Sequence, residues 1–331
     1  MLKLTGHKKD VRGVTFAPDG RAVSCGSDRT VRVWNPLSGE CLTSIKTVNV
    51  TYAVAVPPDG SRIAFAGRPG RGETASRVFA CDLDGRNLGH HTARTLERSF
   101  QFDPVARVFV GGDPTPVART VWALSFSVDG QYLAAAVRKP GGGNMPDGAG
   151  GFFWRTGTTG EADVLPGDDI YALAFAPQGH GIAVTRKGIV VFLPNVAGAN
   201  ASDAVSDGRV GRGYRFSASW SPAVAFVPGG ESAVIASNSF LEFVNPVRER
   251  KPVRVKSGIR TITALAAAPD GQTLLVAGRP GSVEVYDAET RVRRTVYDFG
   301  LGSIHALAYS PDGLTFAAAG DNGLVVCDVA E

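Results

Sequence analysis

One short motif recurs seven times and limits what this chain can fold into. Alternating apolar residues lead into a turn rich in proline, aspartate and glycine. It reads FAPDG at 16–20, VPPDG at 56–60, FSVDG at 126–130, FAPQG at 175–179, FVPGG at 226–230, AAPDG at 267–271 and YSPDG at 309–313. The final glycines, at 20, 60, 130, 179, 230, 271 and 313, lie 40 to 51 residues apart except for one gap of 70. Proline fixes φ, aspartate bonds its own local backbone, and glycine accepts a positive φ that other residues resist. Such a turn joins two strands of a hairpin, and a repeat at this period marks a modular ring or array.

The residues after each turn are again strand-like. AVSCGS at 22–27, RIAFAG at 62–67, YLAAAV at 132–137, TLLVAG at 273–278 and LTFAAAG at 314–320 form a second run. TVRVWN at 30–35, SVEVYD at 282–287 and GLVVCD at 323–328 form a third, and weaker runs such as CLTSIK at 41–46 and RVRRTV at 291–296 a fourth. No stretch shows sustained helical periodicity. Four short strands per repeat predict an all-β fold, a seven-bladed β-propeller of four-stranded antiparallel blades, formed by residues 1–331 as a single domain. The chain stops just after the third strand of its last unit. Residues 1–5, MLKLT, are therefore expected to supply the missing outer strand and close the ring.

The first unit resembles a known family. Gly6-His7, the APDG turn, Asp28 and Trp34-Asn35 are similar to the signature of WD repeats. The resemblance implies a hydrogen-bonded tetrad of His7, Ser24, Asp28 and Trp34, and the role of an interaction scaffold. The other units depart from the signature: Arg155 follows Trp154, Asp287 follows Tyr286, Asp328 follows Cys327, and Gly-His does not recur at the same place. Those units are expected to rely on apolar packing.

Three segments break the regular spacing. Residues 90–116 read as an additional hairpin around Asp103-Pro104, or as a half-formed eighth blade. Residues 194–218 read as a long connection, and GGGNMPDGAGG at 141–151 as a glycine-rich loop. The last lacks GxxxxGK[ST] and a following helix, so it does not predict a phosphate loop.

In a propeller the first strand of each blade lines the central channel and starts at the upper rim. Counting back from each turn places Arg12, Tyr52, Trp122, Tyr171, Pro222, Thr263 and His305 at that rim. Two residues further out lie Asp10, Val50, Thr120, Asp169, Trp220, Thr261 and Ser303. Aromatic residues and arginine are what interface hot spots favour. The turns between second and third strands share this face and carry Arg29, Arg68, Arg71, Arg138, Lys139, Arg186, Lys187 and Arg279; the opposite turns carry Asp19, Asp59, Asp129, Asp270 and Asp312. The expected partner is an acidic protein or peptide segment docked on a basic upper face by Arg12, Tyr52, Trp122, Tyr171, Trp220, His305, Arg68 and Arg279.

Two other classes weigh against that reading. An enzyme would need acids and histidines converging at the channel mouth, where only Asp10, Asp169 and His305 qualify; His90-His91 lies in the irregular connection. A nucleic-acid-binding ring would need more than a net charge of +4 with no basic run. The four cysteines, Cys25, Cys41, Cys81 and Cys327, show no CxxC spacing, so neither a metal nor another cofactor is expected. The N-terminus has no apolar signal core and no apolar run is long enough to span a membrane, which predicts a soluble, cytoplasmic monomer.

Overall fold

The turns adopt the conformation their residues dictate. In a computed structural model, Asp19, Asp59, Asp129, Asp270 and Asp312 each accept a hydrogen bond from the amide two residues on, at 2.9–3.1 Å. The next glycine takes a positive φ: 87° at Gly20, 65° at Gly60, 71° at Gly130, and 73° at Gly271 and Gly313. Its amide closes the turn on the carbonyl three residues back, as Gly20 does on Ala17 at 2.9 Å. The fifth turn departs from expectation, because the positive φ of 72° sits at Gly229, one residue earlier in FVPGG. The structure describes residues 1–73, 75–93, 95–103, 108–138, 149–156, 163–166, 170–178, 182–186, 189–193, 213–215, 223–229, 232–245 and 251–329.

These turns connect the first two strands of antiparallel sheets. Among the described residues the four-stranded sheets run from an inner to an outer strand in the order given. The first holds Val11–Phe16, Ala22–Gly26, Thr30–Trp34 and Cys41–Lys46; the second holds Thr51–Ala55, Ile63–Gly67, Ser76–Cys81 and Gly89–Ala93. The third holds Thr120–Phe126, Tyr132–Arg138, Ala149–Arg155 and Asp163–Pro166; the fourth holds Ala172–Phe175, Ile182–Arg186, Ile189–Leu193 and Gly213–Arg215. The fifth holds Val224–Phe226, Ala233–Ser237, Phe240–Val244 and Val253–Lys256; the sixth holds Thr261–Ala267, Thr273–Arg279, Ser282–Asp287 and Arg293–Asp298. The last holds Ile304–Tyr309, Thr315–Gly320, Gly323–Asp328 and, as its outer strand, Leu2–Leu4. The fold is an all-β propeller.

Several boundaries differ from the sequence reading. Gly213–Arg215, inside the expected connection 194–218, is the outer strand of the fourth sheet. Ala149 opens a strand inside the expected glycine-rich loop, and 141–148 lie outside the described residues. Gly89–Ala93 completes the second sheet. The outer strand of the sixth sheet starts at Arg293, two residues later than the run RVRRTV suggests. Thr95–Asp103 pairs with Val108–Val117 as the expected hairpin, which stands as a separate two-stranded sheet.

The core lies between the sheets. The inner strand of each sheet packs against that of the next, in chain order, and Ile304–Tyr309 packs back on Val11–Phe16. Trp34, Leu4, Val14, Ala317 and Leu324 fill the wedge between the last sheet and the first; Val33, Val54, Ile63 and Phe65 fill the wedge between the first and second. Alternation explains this arrangement, since successive residues of a strand face opposite neighbours.

The seam is made by the chain's own start. Leu2, Lys3 and Leu4 pair with Val326, Val325 and Leu324. Leu4 is 2% exposed and belongs to the seam's apolar cluster. Leu4→Ala is expected to cost about 2–5 kcal/mol, the range for a buried leucine. Deletion of residues 1–6 should cost more, because it also uncovers the edge of Gly323–Asp328. Urea unfolding reads both, and an unshifted midpoint for the deletion would show that the seam contributes nothing.

Candidate functional site

The strands do more than stack, because five of the seven inner strands carry a defect at their upper end. In the first sheet Val11 pairs with Gly26 and Gly13 with Cys25, leaving Arg12 as an extra residue. The same β-bulge leaves Tyr52, Trp122, Thr263 and His305 unpaired in the second, third, sixth and last sheets. A bulge bends the strand and re-aims the side chain of the extra residue. A close backbone approach accompanies it. A Cβ on Gly67 would lie 2.1 Å from the Val50 carbonyl oxygen, and one on Gly278 would lie 1.9 Å from that of Thr261. Glycine at these second-strand ends lets the incoming chain cross over.

The residue just past this crossing point meets the bulge residue. The pairs are Arg12 with Ser27, Trp122 with Arg138, and His305 with Asp321. Arg12 Nε donates to Ser27 Oγ at 3.2 Å, and His305 Nε2 lies 2.7 Å from Asp321 Oδ1. The Arg138 guanidinium lies 5.1 Å from the Trp122 ring centre and 4.8 Å from that of Tyr171. Tyr52 stacks on Trp122 at 4.5 Å with an interplanar angle of 18°. Tyr52, Trp122, Arg138 and Tyr171 thus form one continuous array across three sheets. Trp122 is 38% exposed.

The other side of the mouth is ionic. Arg12 bonds Asp10 and lies 3.4 Å from His305 Nε2 through Nη1. Burial lowers the His305 pKa, and the Asp321 bond only partly opposes this. Asp321, which burial alone would push upward, is held below the usual carboxylate range by His305 and by the Ser303 amide. The sequence leads one to expect a basic upper face, but acids sit among its cations. Asp10 and Asp321 neutralise its ionic side. Arg68 and Arg279 are exposed, with no ion pair among the described residues. Trp220, Pro222 and Asp169 lie outside the described residues. Of the predicted site, the structure brings together Tyr52, Trp122 and Tyr171 in one cluster and Arg12 with His305 in another.

Beside this mouth, His7, Ser24, Asp28 and Trp34 form one chain of hydrogen bonds. Trp34 Nε1 donates to Ser24 Oγ at 2.8 Å, and Ser24 Oγ lies 2.8 Å from His7 Nε2. His7 Nδ1 lies 3.0 Å from Asp28 Oδ2. With the Trp34 N–H donating to Ser24, the hydroxyl proton is free for Nε2, which assigns the proton of neutral His7 to Nδ1 and directs it to Asp28. Burial lowers the His7 pKa despite the attraction of Asp28. Asp28, which burial alone would push upward, is held low by the Lys8 amide, His7 and Thr30.

This arrangement coincides with residues 1–35, which match the family described as WD domain, G-beta repeat. WD repeat and SOCS box-containing protein 1 of Xenopus tropicalis is 27% identical over 233 residues, covering 58% of this chain and 51% of that protein. Its human namesake is 28% identical over the same shares. Residues 1–35 thus match a WD repeat, and the chain is similar to WD-repeat proteins over 58% of its length. An uncharacterized WD repeat-containing protein of Synechocystis sp. is 39% identical over 62 residues, 18% of each chain. The chain spans about half the length of the WD repeat and SOCS box relatives it matches.

Not every sheet that lacks the tetrad relies on apolar packing alone, contrary to the expectation from the sequence. In the sixth sheet Glu284 is buried and accepts from Ser257 Oγ at 2.6 Å, Tyr286 Oη at 2.9 Å and Arg293 Nη1 at 2.7 Å. Asp321 is not among the residues the sequence places on this face, and Arg138, which is, is not among the expected docking residues. A signal for both exists in the sequence: CGS, AGR, AVR, AGR and AGD end the second strands at 27, 68, 138, 279 and 321. Among the described residues no three His, Cys, Asp or Glu side chains form a metal-holding group, and no helix is long and apolar enough to cross a membrane.

Ser24→Ala removes the acceptor of the buried Trp34 N–H and should cost about 1–3 kcal/mol in urea unfolding. A histidine whose folded pKa is lowered contributes stability that is full above its unfolded pKa of about 6.5 and fades as pH falls below it. Wild-type stability should therefore drop on acidification through that value. His7→Gln should flatten the drop, and an unchanged slope would remove His7 from the account.

Proposed function

We propose that this protein is a non-catalytic interaction scaffold whose upper channel mouth docks an acidic protein segment. The observation that carries the proposal is the Tyr52–Trp122–Arg138–Tyr171 array, which opens to solvent at Trp122. Two rings flank the Arg138 guanidinium, so less freedom is lost when it pairs with a carboxylate. Arg68 and Arg279 extend the basic side of the rim. The acid–base groups Asp10, His305 and Asp321 are engaged with Arg12 and with one another, which favours a structural role over proton transfer.

In this reading each four-stranded sheet is one blade of a single seven-bladed domain, closed by Leu2–Leu4, and the protein works as a monomer. Four cysteines free of disulfides fit a reducing, cytoplasmic setting.

Peptide-library selection against the folded protein tests the proposal. Acidic sequences should be enriched. Trp122→Ala and Arg138→Ala should each weaken the selected peptide by about 30-fold, the scale of a hot-spot loss of 2 kcal/mol. Both variants should melt like wild type. Peptides that bind the variants as tightly as the parent would move the docking surface away from the channel mouth.

A further inference from the structure

A second cluster of cations sits away from the channel mouth, at the ring seam. The outer two strands of the first sheet pair Thr30 with Lys46 and Arg32 with Ser44. Directly paired residues share a face of the sheet. That face is the one on which Trp34 meets the last sheet, so these four side chains point toward the closing strand Leu2–Leu4. Lys8 enters from the segment after that strand, and Arg29 from the turn before Thr30. Lys8, Arg29, Arg32 and Lys46, with Thr30, Ser44, Thr47 and Asp28, line a cavity of about 400 Å³.

The charges in this cavity are unbalanced. Its single carboxylate, Asp28, already accepts from the Lys8 amide, the Thr30 amide, the Thr30 hydroxyl and His7. Lys8, Arg29 and Lys46 are exposed and have no ion pair among the described residues. Arg32 is held in place: its Nε donates to Thr30 Oγ1 at 3.2 Å, and its guanidinium lies 5.8 Å from the Trp34 ring centre. Gly6 leaves room for it, since a Cβ there would come within 2.7 Å of Arg32 Nη1. Like charges gathered in one cleft repel unless an anion joins them.

The backbone adds an independent observation. Arg29 adopts φ 62°, a left-handed conformation that favours glycine or asparagine. The corresponding position before the third strand of the sixth sheet is Gly281, at φ 113°. An arginine kept at a position better suited to glycine bears a conformational cost and points to a use for its side chain.

We infer that this seam cavity binds a phosphate group, with Arg32 as the fixed fork, Lys8, Arg29 and Lys46 as the surrounding cations, and Ser44 as a hydroxyl donor. Four cations with the Ser44 hydroxyl between them match a tetrahedral dianion better than a single carboxylate. The site is separate from the channel mouth and does not depend on the function proposed for it.

Isothermal titration of the full chain with inorganic phosphate, and with a short peptide bearing one phosphoserine, tests the inference at constant ionic strength. Both should bind, and the unphosphorylated peptide should not. Arg29→Gly, which relieves the backbone, and Lys46→Ala should each weaken binding by about tenfold or more, the scale of one lost charge-assisted bond. Trp122→Ala should leave it unchanged. Tighter binding of the phosphopeptide identifies a modified side chain as the source, and tighter binding of free phosphate identifies the ion. Absence of binding by both, or binding undiminished in the Arg29→Gly and Lys46→Ala variants, would overturn the site.

Discussion

Everything in this molecule rests on burying both faces of each small sheet. A four-stranded sheet of short strands has two apolar faces and cannot cover either alone. Here Val33 and Trp34, adjacent in one strand, serve opposite wedges: Val33 packs against the second sheet and Trp34 against the last. Every sheet therefore depends on two neighbours, and an open row would leave two bare ends. Pairing Leu2–Leu4 with Gly323–Asp328 joins those ends and makes the core continuous. The seam consequently carries both the family signature and the buried Trp34.

The bulges turn this repetitive frame into a varied surface. Because the extra residue at each upper rim takes no part in the ladder, its identity is free of the alternation that governs the rest of the strand. Arg12, Tyr52, Trp122, Thr263 and His305 differ in size and charge yet occupy the same backbone position. The residue at the end of the second strand, past the crossing point, varies as well. Neighbouring pairs then settle their own chemistry: aromatic and cationic on one side of the mouth, ionic on the other.

The buried polar groups obey one rule in two forms. In the first sheet Trp34, Ser24, His7 and Asp28 satisfy one another in series. In the sixth, Glu284 gathers Ser257, Tyr286, Gly258 and Arg293 around one carboxylate. Each buried donor or acceptor needs a partner, and different residues can meet that need on the same strands. Loss of the signature in a unit therefore does not imply loss of its polar support.

Much of the architecture was legible in the residues. The Pro-Asp-Gly turns act locally, so their spacing located most of the hairpins and the missing outer strand. His7, Ser24, Asp28 and Trp34 could be placed through their family resemblance. Boundaries were less legible where strands are short and weakly patterned, as at Gly213–Arg215, because two or three residues carry no period. The pairing of Trp122 with Arg138 and the opposition of Asp10 and Asp321 to the basic rim were decided by tertiary structure alone. Sequence determines which residues turn and which alternate, since those depend on near neighbours. Which side chains meet across the channel mouth depends on bulges and on sheets brought together by a closed ring, and no local pattern encodes that distance.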